Sequence, residues 1–137
     1  MADYRILITG SRDWDDDPLL CLNLAMAVQE PRPEGSAVII VHGACPRGAD
    51  KTADVWARNH RLRVERHPAD WDRHGKSAGF VRNAEMVSLG ADLCLAFLMP
   101  CTDGRCRRPG RHYSHGASHC AQLAEANSIP VRRITDG

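Results

Sequence analysis

The segment Gly43-Ala44-Cys45-Pro46-Arg47-Gly48-Ala49-Asp50 lies between the apolar run Ala37–Val41 and a helical pattern from Lys51 to His60. Small residues at a strand-to-helix turn let backbone N–H groups approach an anion, and the following helix contributes about half a positive charge at its start. The chemistry this suggests is phosphate binding. The pattern recurs where Arg5–Thr9 runs into Gly10-Ser11-Arg12, and again where Leu93–Leu98 leads, after an insertion, to Ser114-His115-Gly116-Ala117-Ser118. In a parallel sheet such turns share the carboxyl edge, the place where open α/β folds bind ligands.

Each of these residues also has a plain structural use. Arg12 and Arg47 offer guanidinium groups to a phosphate, or they sit in solvent beside tight turns. Asp50 either caps the helix it opens or takes a ribose hydroxyl or a water; a carboxylate aimed at phosphate would repel it. The segment from His67 to Asn83 contains Asp70, Trp71, Gly75, Gly79, Arg82 and Asn83, which together could hold a base and a phosphate. The plain alternative has Trp71 as a lid on the core and Arg82 on a solvated helix face; taken singly, Trp71 reads better as that lid. Ser114 and Ser118 beside Gly116 and Ala117 serve equally as phosphate donors or as helix caps.

Cys101, Cys106 and His112, with His115, His119 and Cys120 nearby, provide soft metal ligands. The spacing Cys101-x4-Cys106-x5-His112 is not a strong zinc signature, because recognised structural sites usually contain close C-x2-C or H-x3-H pairs, so the expectation is no metal, with Cys101, Cys106 and His112 as weak candidates. A plain Arg-rich excursion or a labile disulfide is the preferred reading. His115 and His119 are four apart and should share a helix face.

The elements that must position these residues follow from periodicity: strands near 4–9, 37–42, 62–67, 92–98 and 130–134, and helices near 18–30, 49–60, 78–89 and 116–127. Pro18 opens the first helix, with Leu19, Leu20, Leu22, Leu24 and Val28 on a broad apolar face. Short strands alternating with amphipathic helices imply one α/β domain over residues 1–137, its parallel sheet covered on both faces. Residues 100–113 are a long excursion leading straight into a candidate binding turn.

The 137 residues are enough to bury roughly two-thirds of the unfolded surface without staples. Eighteen basic and seventeen acidic residues nearly cancel, which argues against a direct nucleic-acid reader. Apolar runs fall far short of a membrane span. A cytoplasmic protein with mostly reduced cysteines is expected, Cys21 and Cys94 among them in the core.

Taken together, Ile8-Thr9-Gly10-Ser11-Arg12, the stretch His42–Asp50, Pro68-Ala69-Asp70-Trp71 with Gly75 and Ala78-Gly79, Arg82-Asn83 with Met86, and Ser114 with Gly116-Ala117 resemble the YspA-type branch of the SLOG superfamily. The resemblance spans nearly the whole chain. It implies a Rossmann-like fold, which we expect in strand order 3-2-1-4-5, and a nucleotide or nucleotide-derived small-molecule ligand, bound for sensing or processing. No other cofactor is required, and a homodimer is the oligomeric expectation the resemblance suggests. The superfamily also contains the LOG phosphoribohydrolases and the DNA-processing protein A group. LOG enzymes carry Pro-Gly-Gly-x-Gly-Thr-x-x-Glu at the last turn, and aligning its Gly-Thr with Gly116-Ala117 puts Cys120 where their catalytic glutamate stands. Catalytic residues are therefore unassigned, with Asp50 and Asp70 as candidate carboxylates for an N-glycosidase alternative. A ligand-free structural or partner-binding domain is the third reading.

Overall fold

The computed structural model describes residues 3–101, 106 and 112–135. The expectation of a long excursion therefore falls in part, at 102–105 and 107–111, outside the described residues. The order of elements is β1 (Tyr4–Gly10), α1 (Asp17–Gln29), β2 (Val38–His42), α2 (Ala49–Asn59), β3 (Arg63–Arg66), a one-turn α3 (Trp71–His74) running through a 3₁₀ turn into α4 (Ala78–Ser88), β4 (Leu93–Leu98), α5 (His115–Ala126) and β5 (Val131–Thr135). All neighbouring strands pair in parallel, in the order β3-β2-β1-β4-β5. This is the doubly wound Rossmann-like arrangement expected from the sequence. No helix among the described residues is long and apolar enough to cross a membrane.

Strand alternation divides the core between the two faces of the sheet. Ile6, Ile8, Ile40, Leu95 and Phe97 meet Leu20 and Leu24 of α1 and Ala53 and Ala57 of α2. Leu7, Ile39, Val41 and Cys94 point the other way, against Met86 and Val87 of α4 and Cys120 and Ala124 of α5. Each fully buried Ile, Leu or Phe contributes about 1.5–3 kcal/mol. The central strands are apolar on both faces because both are covered.

Helix starts follow local chemistry. The Asp16 carboxylate caps α1 by accepting the Leu19 N–H at 3.1 Å, and Pro18 occupies the first turn, where its missing N–H costs nothing. The apolar face of α1 is narrower than its leucines suggest. Leu20, Leu24 and Ala27 are buried, whereas Leu22 is exposed and Cys21 only half-buried, because both project away from the stripe that meets the sheet. Trp14, in the loop before α1, is the unforeseen core residue; it packs edge-on against Phe97 with centroids 5.3 Å apart, and its indole N–H reaches the Asp16 carbonyl.

Candidate functional site

A cleft of about 530 Å³ opens at the carboxyl edge of the sheet, where the strand order reverses between β1 and β4. Its walls come from the turns after β1 and β2, the segment from Pro68 to Met86, and the start of α5. Of the sequence candidates, Gly10, Ser11, Arg12, Gly43, Ala44, Arg47, Asp50, Trp71, Arg82, Asn83, Ser114, Gly116 and Ala117 line it. Gly48, Ala49, Gly75, Asp70 and Ser118 do not line it.

Several lining residues are held by the protein itself. The Met99 N–H donates to Ser11 Oγ at 2.9 Å, and Ser11 Oγ lies 2.5 Å from Ser114 Oγ, so the two serines lock the first turn to the last. Arg82 turns inward rather than out to solvent: its guanidinium donates to the Gly43 carbonyl and, through Nε, to Asn83 Oδ1 at 2.9 Å. A Cβ on Gly43 would collide with that guanidinium, so a larger residue there would push Arg82 out of this position. Asn83, 2% exposed, donates to the Gly116 carbonyl at 3.1 Å and contacts His119 Nδ1 at 3.2 Å, tying α4 to α5.

The start of α2 is closed. Gly48 has φ of 76°, and a Cβ there would lie 2.5 Å from the Ser11 carbonyl, while a Cβ on Gly10 would strike that of Ala49. The Ala49 N–H points at the Ser11 carbonyl at 3.4 Å. These glycines permit tight packing of α2 on the first turn. Nor does Asp50 cap its own helix. Its carboxylate reaches back to the Cys45 N–H at 3.2 Å and to the Gly43 N–H, bracing the loop, and burial pushes its proton affinity up against the opposing pull of His42, those N–H groups and Arg82. Ala44 adopts φ of 59°, a strained conformation for alanine, held by its N–H donating to His42 Nδ1 at 2.9 Å.

The start of α5 differs. Ser114 precedes it without capping it, since its hydroxyl is engaged with Ser11, and Ser114, His115, Gly116 and Ala117 all line the cleft. The first N–H groups of a helix have no partner within it. Around the same cleft stand Arg12, Arg47 and Lys76. Arg12 lies 5.6 Å over the ring of Trp71, which is half-exposed on the rim and is not a core lid. Arg47 is largely in solvent, 3.5 Å from Asp13. Phe80, Lys76 and Thr9 are lining residues that sequence reasoning missed; Phe80 meets the His119 ring edge-on at 4.6 Å. The helical pattern around Phe80 and its place two residues from Arg82 were the available signals.

The two proposed carboxylates part company. Asp70 caps α3 by accepting the Arg73 N–H at 3.1 Å, outside the cleft, whereas Asp50 lines it. Cys120 faces Leu7, Ile39 and Cys94 in the core, and burial pushes its thiol up to about 11 despite a hydrogen bond with Thr9. The position aligned with the LOG glutamate thus supplies neither an acid nor a nucleophile near neutral pH. His115 and His119 share α5 but not a task, since His119 turns to Asn83 while His115 Nε2 meets Cys106 and His112.

An all-parallel 3-2-1-4-5 sheet with a cleft at its switch point defines a Rossmann-like domain with a carboxyl-edge site. The model of the YspA, cpYpsA-related SLOG family (YAcAr) matches residues 4–74. The chain is also 42% identical over 137 residues to the Gene 61 protein of Mycobacterium phage D29, covering 96% of this chain and 97% of that one. The chain belongs to the YspA, cpYpsA-related SLOG family. No solved structure matches.

Proposed function

We propose that the protein binds a nucleotide or nucleotide-derived phosphate in the carboxyl-edge cleft, as a sensor or processing module. The observation that carries this reading is the composition of that cleft: the uncapped start of α5, the cations Arg12, Arg47 and Lys76, and the exposed faces of Trp71 and Phe80 line one cavity of about 530 Å³. That volume falls within the usual range for small-molecule sites. Phosphate oxygens fit the N–H groups at the start of α5, with Arg12 adding a charge-assisted contact. A base or ribose fits the aromatic wall, and binding in this way needs no further cofactor. Membership of the family is compatible with a nucleotide-related ligand.

A second reading, N-glycosidase action on a nucleoside monophosphate, is favoured by Asp50, a cleft carboxyl whose proton affinity is raised by burial. Such a group could donate a proton to a departing base. Incubating the protein with a panel of nucleoside mono-, di- and triphosphates, while recording both melting temperature and free base by chromatography, separates the readings. Binding without turnover is the expected result. Multiple turnovers abolished in a folded Asp50→Asn variant would promote the glycosidase, and no shift with any nucleotide would leave the ligand-free domain.

A further inference from the structure

At the mouth of the excursion, the chain returns on itself. The Cys101 N–H donates to the His112 carbonyl at 2.7 Å, the Ser114 N–H donates to the Met99 carbonyl at 3.0 Å, and Pro100 pairs with Tyr113 in an antiparallel bridge. This closure sets Cys101 opposite His112 beside the bridge, with His115 as the first residue of the adjoining helix α5. Cys106 comes back from within the excursion to meet them. The ligand atoms of Cys101, Cys106, His112 and His115 all lie within 4.8 Å of one another.

From this geometry we infer that Cys101, Cys106, His112 and His115 form a tetrahedral Zn²⁺ site that pins the excursion to the first turn of α5. Zinc bonds of about 2.3 Å to sulfur and 2.0–2.1 Å to nitrogen make the edges of a tetrahedron about 3.3 Å between two nitrogens and about 3.5 Å between nitrogen and sulfur. The structure has His112 Nε2 and His115 Nε2 3.1 Å apart, Cys106 Sγ 3.3 Å from each of them, and Cys101 Sγ 3.7 Å from His115 Nε2. Both imidazoles thus direct the same kind of nitrogen, Nε2, toward one point between two thiols. Two thiolates and two imidazoles are a closed, soft donor set suited to zinc and leave no position for a reacting water.

The spacing of these residues along the chain leads to the opposite expectation, no metal. Spacing signatures describe ligands held by one tight turn, whereas here the β-bridge and α5 bring the ligands together from separate segments. Binding would displace two thiol protons to solvent and leave the site electrically neutral, so its role is to hold the loop, not to attract phosphate. Cys101 and His115 also line the cleft, so the metal would fix the wall that contains the start of α5. The inference is independent of what the cleft binds.

The test is elemental analysis of the full chain, expressed with zinc and purified under reducing conditions, followed by replacement of the metal with Co²⁺. About one zinc per chain and the visible absorption of tetrahedral, thiolate-bound cobalt are expected. Cys106→Ser and His112→Ala should each lower metal occupancy at least tenfold, while Cys21→Ser, a thiol on α1, retains it. If the variants fail to fold, the wild-type cobalt spectrum still decides. Less than a tenth of an equivalent of zinc with no cobalt absorption, a Cys101–Cys106 disulfide in the intact mass under reducing purification, or full occupancy in both folded ligand variants would each overturn the site.

Discussion

Asp50 and Asp54 stand one turn apart on the same face of α2 and are 6% and 8% exposed, but their carboxylates reach different hydrogen-bond partners. Asp54 accepts from Arg66 Nε at 2.7 Å, from Arg58 Nε at 2.7 Å and lies 2.7 Å from His42 Nε2. These partners, Arg66 foremost, hold its carboxyl far below the ordinary carboxylate range. Because His42 Nδ1 accepts the Ala44 N–H, the network places its proton on Nε2, toward Asp54. Asp50, which lines the cleft, accepts from backbone N–H groups rather than from a guanidinium among the described residues, and burial raises its proton affinity. Burial alone does not decide the state of a carboxyl; the partners do. Around Asp54 the protein uses its cations to build structure, whereas Arg12, Arg47 and Lys76 stand around the cleft that Asp50 lines.

The largest effect should come from removing the satisfied carboxylate. Asp54→Ala leaves Arg66, Arg58 and His42 without their common acceptor and should cost about 3 kcal/mol, toward the lower end for broken buried pairs because the arginines are half in water. Urea unfolding at neutral pH measures it, and a loss under about 1 kcal/mol would erase the contrast with Asp50.

A smaller effect separates the two by pH. Asp54, with its folded-state proton affinity lowered, contributes stability that is present above its ordinary value of 3.8 and is lost as pH falls. Glu65, held by Arg5 and His67 at about 2 against an ordinary 4.5, behaves the same way. Asp50 has the opposite sign: its contribution is present below 3.8 and is lost as pH rises through its raised value. Asp50→Asn should therefore change stability by no more than about 1 kcal/mol at pH 4 and become relatively more stable than wild type toward pH 7. Melting curves across that range check the sign. A gap that moves the other way would mean that Asp50 is ionised and paired.

How far these features were legible depends on how local their causes are. Strand and helix positions follow from periodicity in residues such as Ile39–Val41 and Leu93–Leu98, and the parallel order follows from βαβ arithmetic. The turns were legible as turns, but not which helix start stays open. That depends on Gly10 and Gly48 letting α2 close onto the Ser11 carbonyl, a contact between segments that are distant in sequence. Trp71 was misjudged as a lid on the core, and the inward partners of Arg82 were not legible, for the same reason. Arg82 turns into the space above Gly43, and Trp71 sits at the rim with Arg12 arriving over its ring from another turn. Asp54 gave no motif at all, since its partners come from β2, α2 and β3.

The central claim is that the cleft lined by Asp50, and not the neighbouring surface around Asp54, receives a phosphorylated ligand. Calorimetric titration of the nucleotide giving the largest stabilisation tests it directly, using wild type, Arg12→Ala on the cleft and Lys51→Ala on the Asp54 side. Loss of a charge-assisted phosphate contact should weaken binding by about 1.5 kcal/mol or more, roughly tenfold, in Arg12→Ala, with Lys51→Ala unchanged. Wild-type affinity in folded Arg12→Ala together with a tenfold loss in Lys51→Ala would contradict the account.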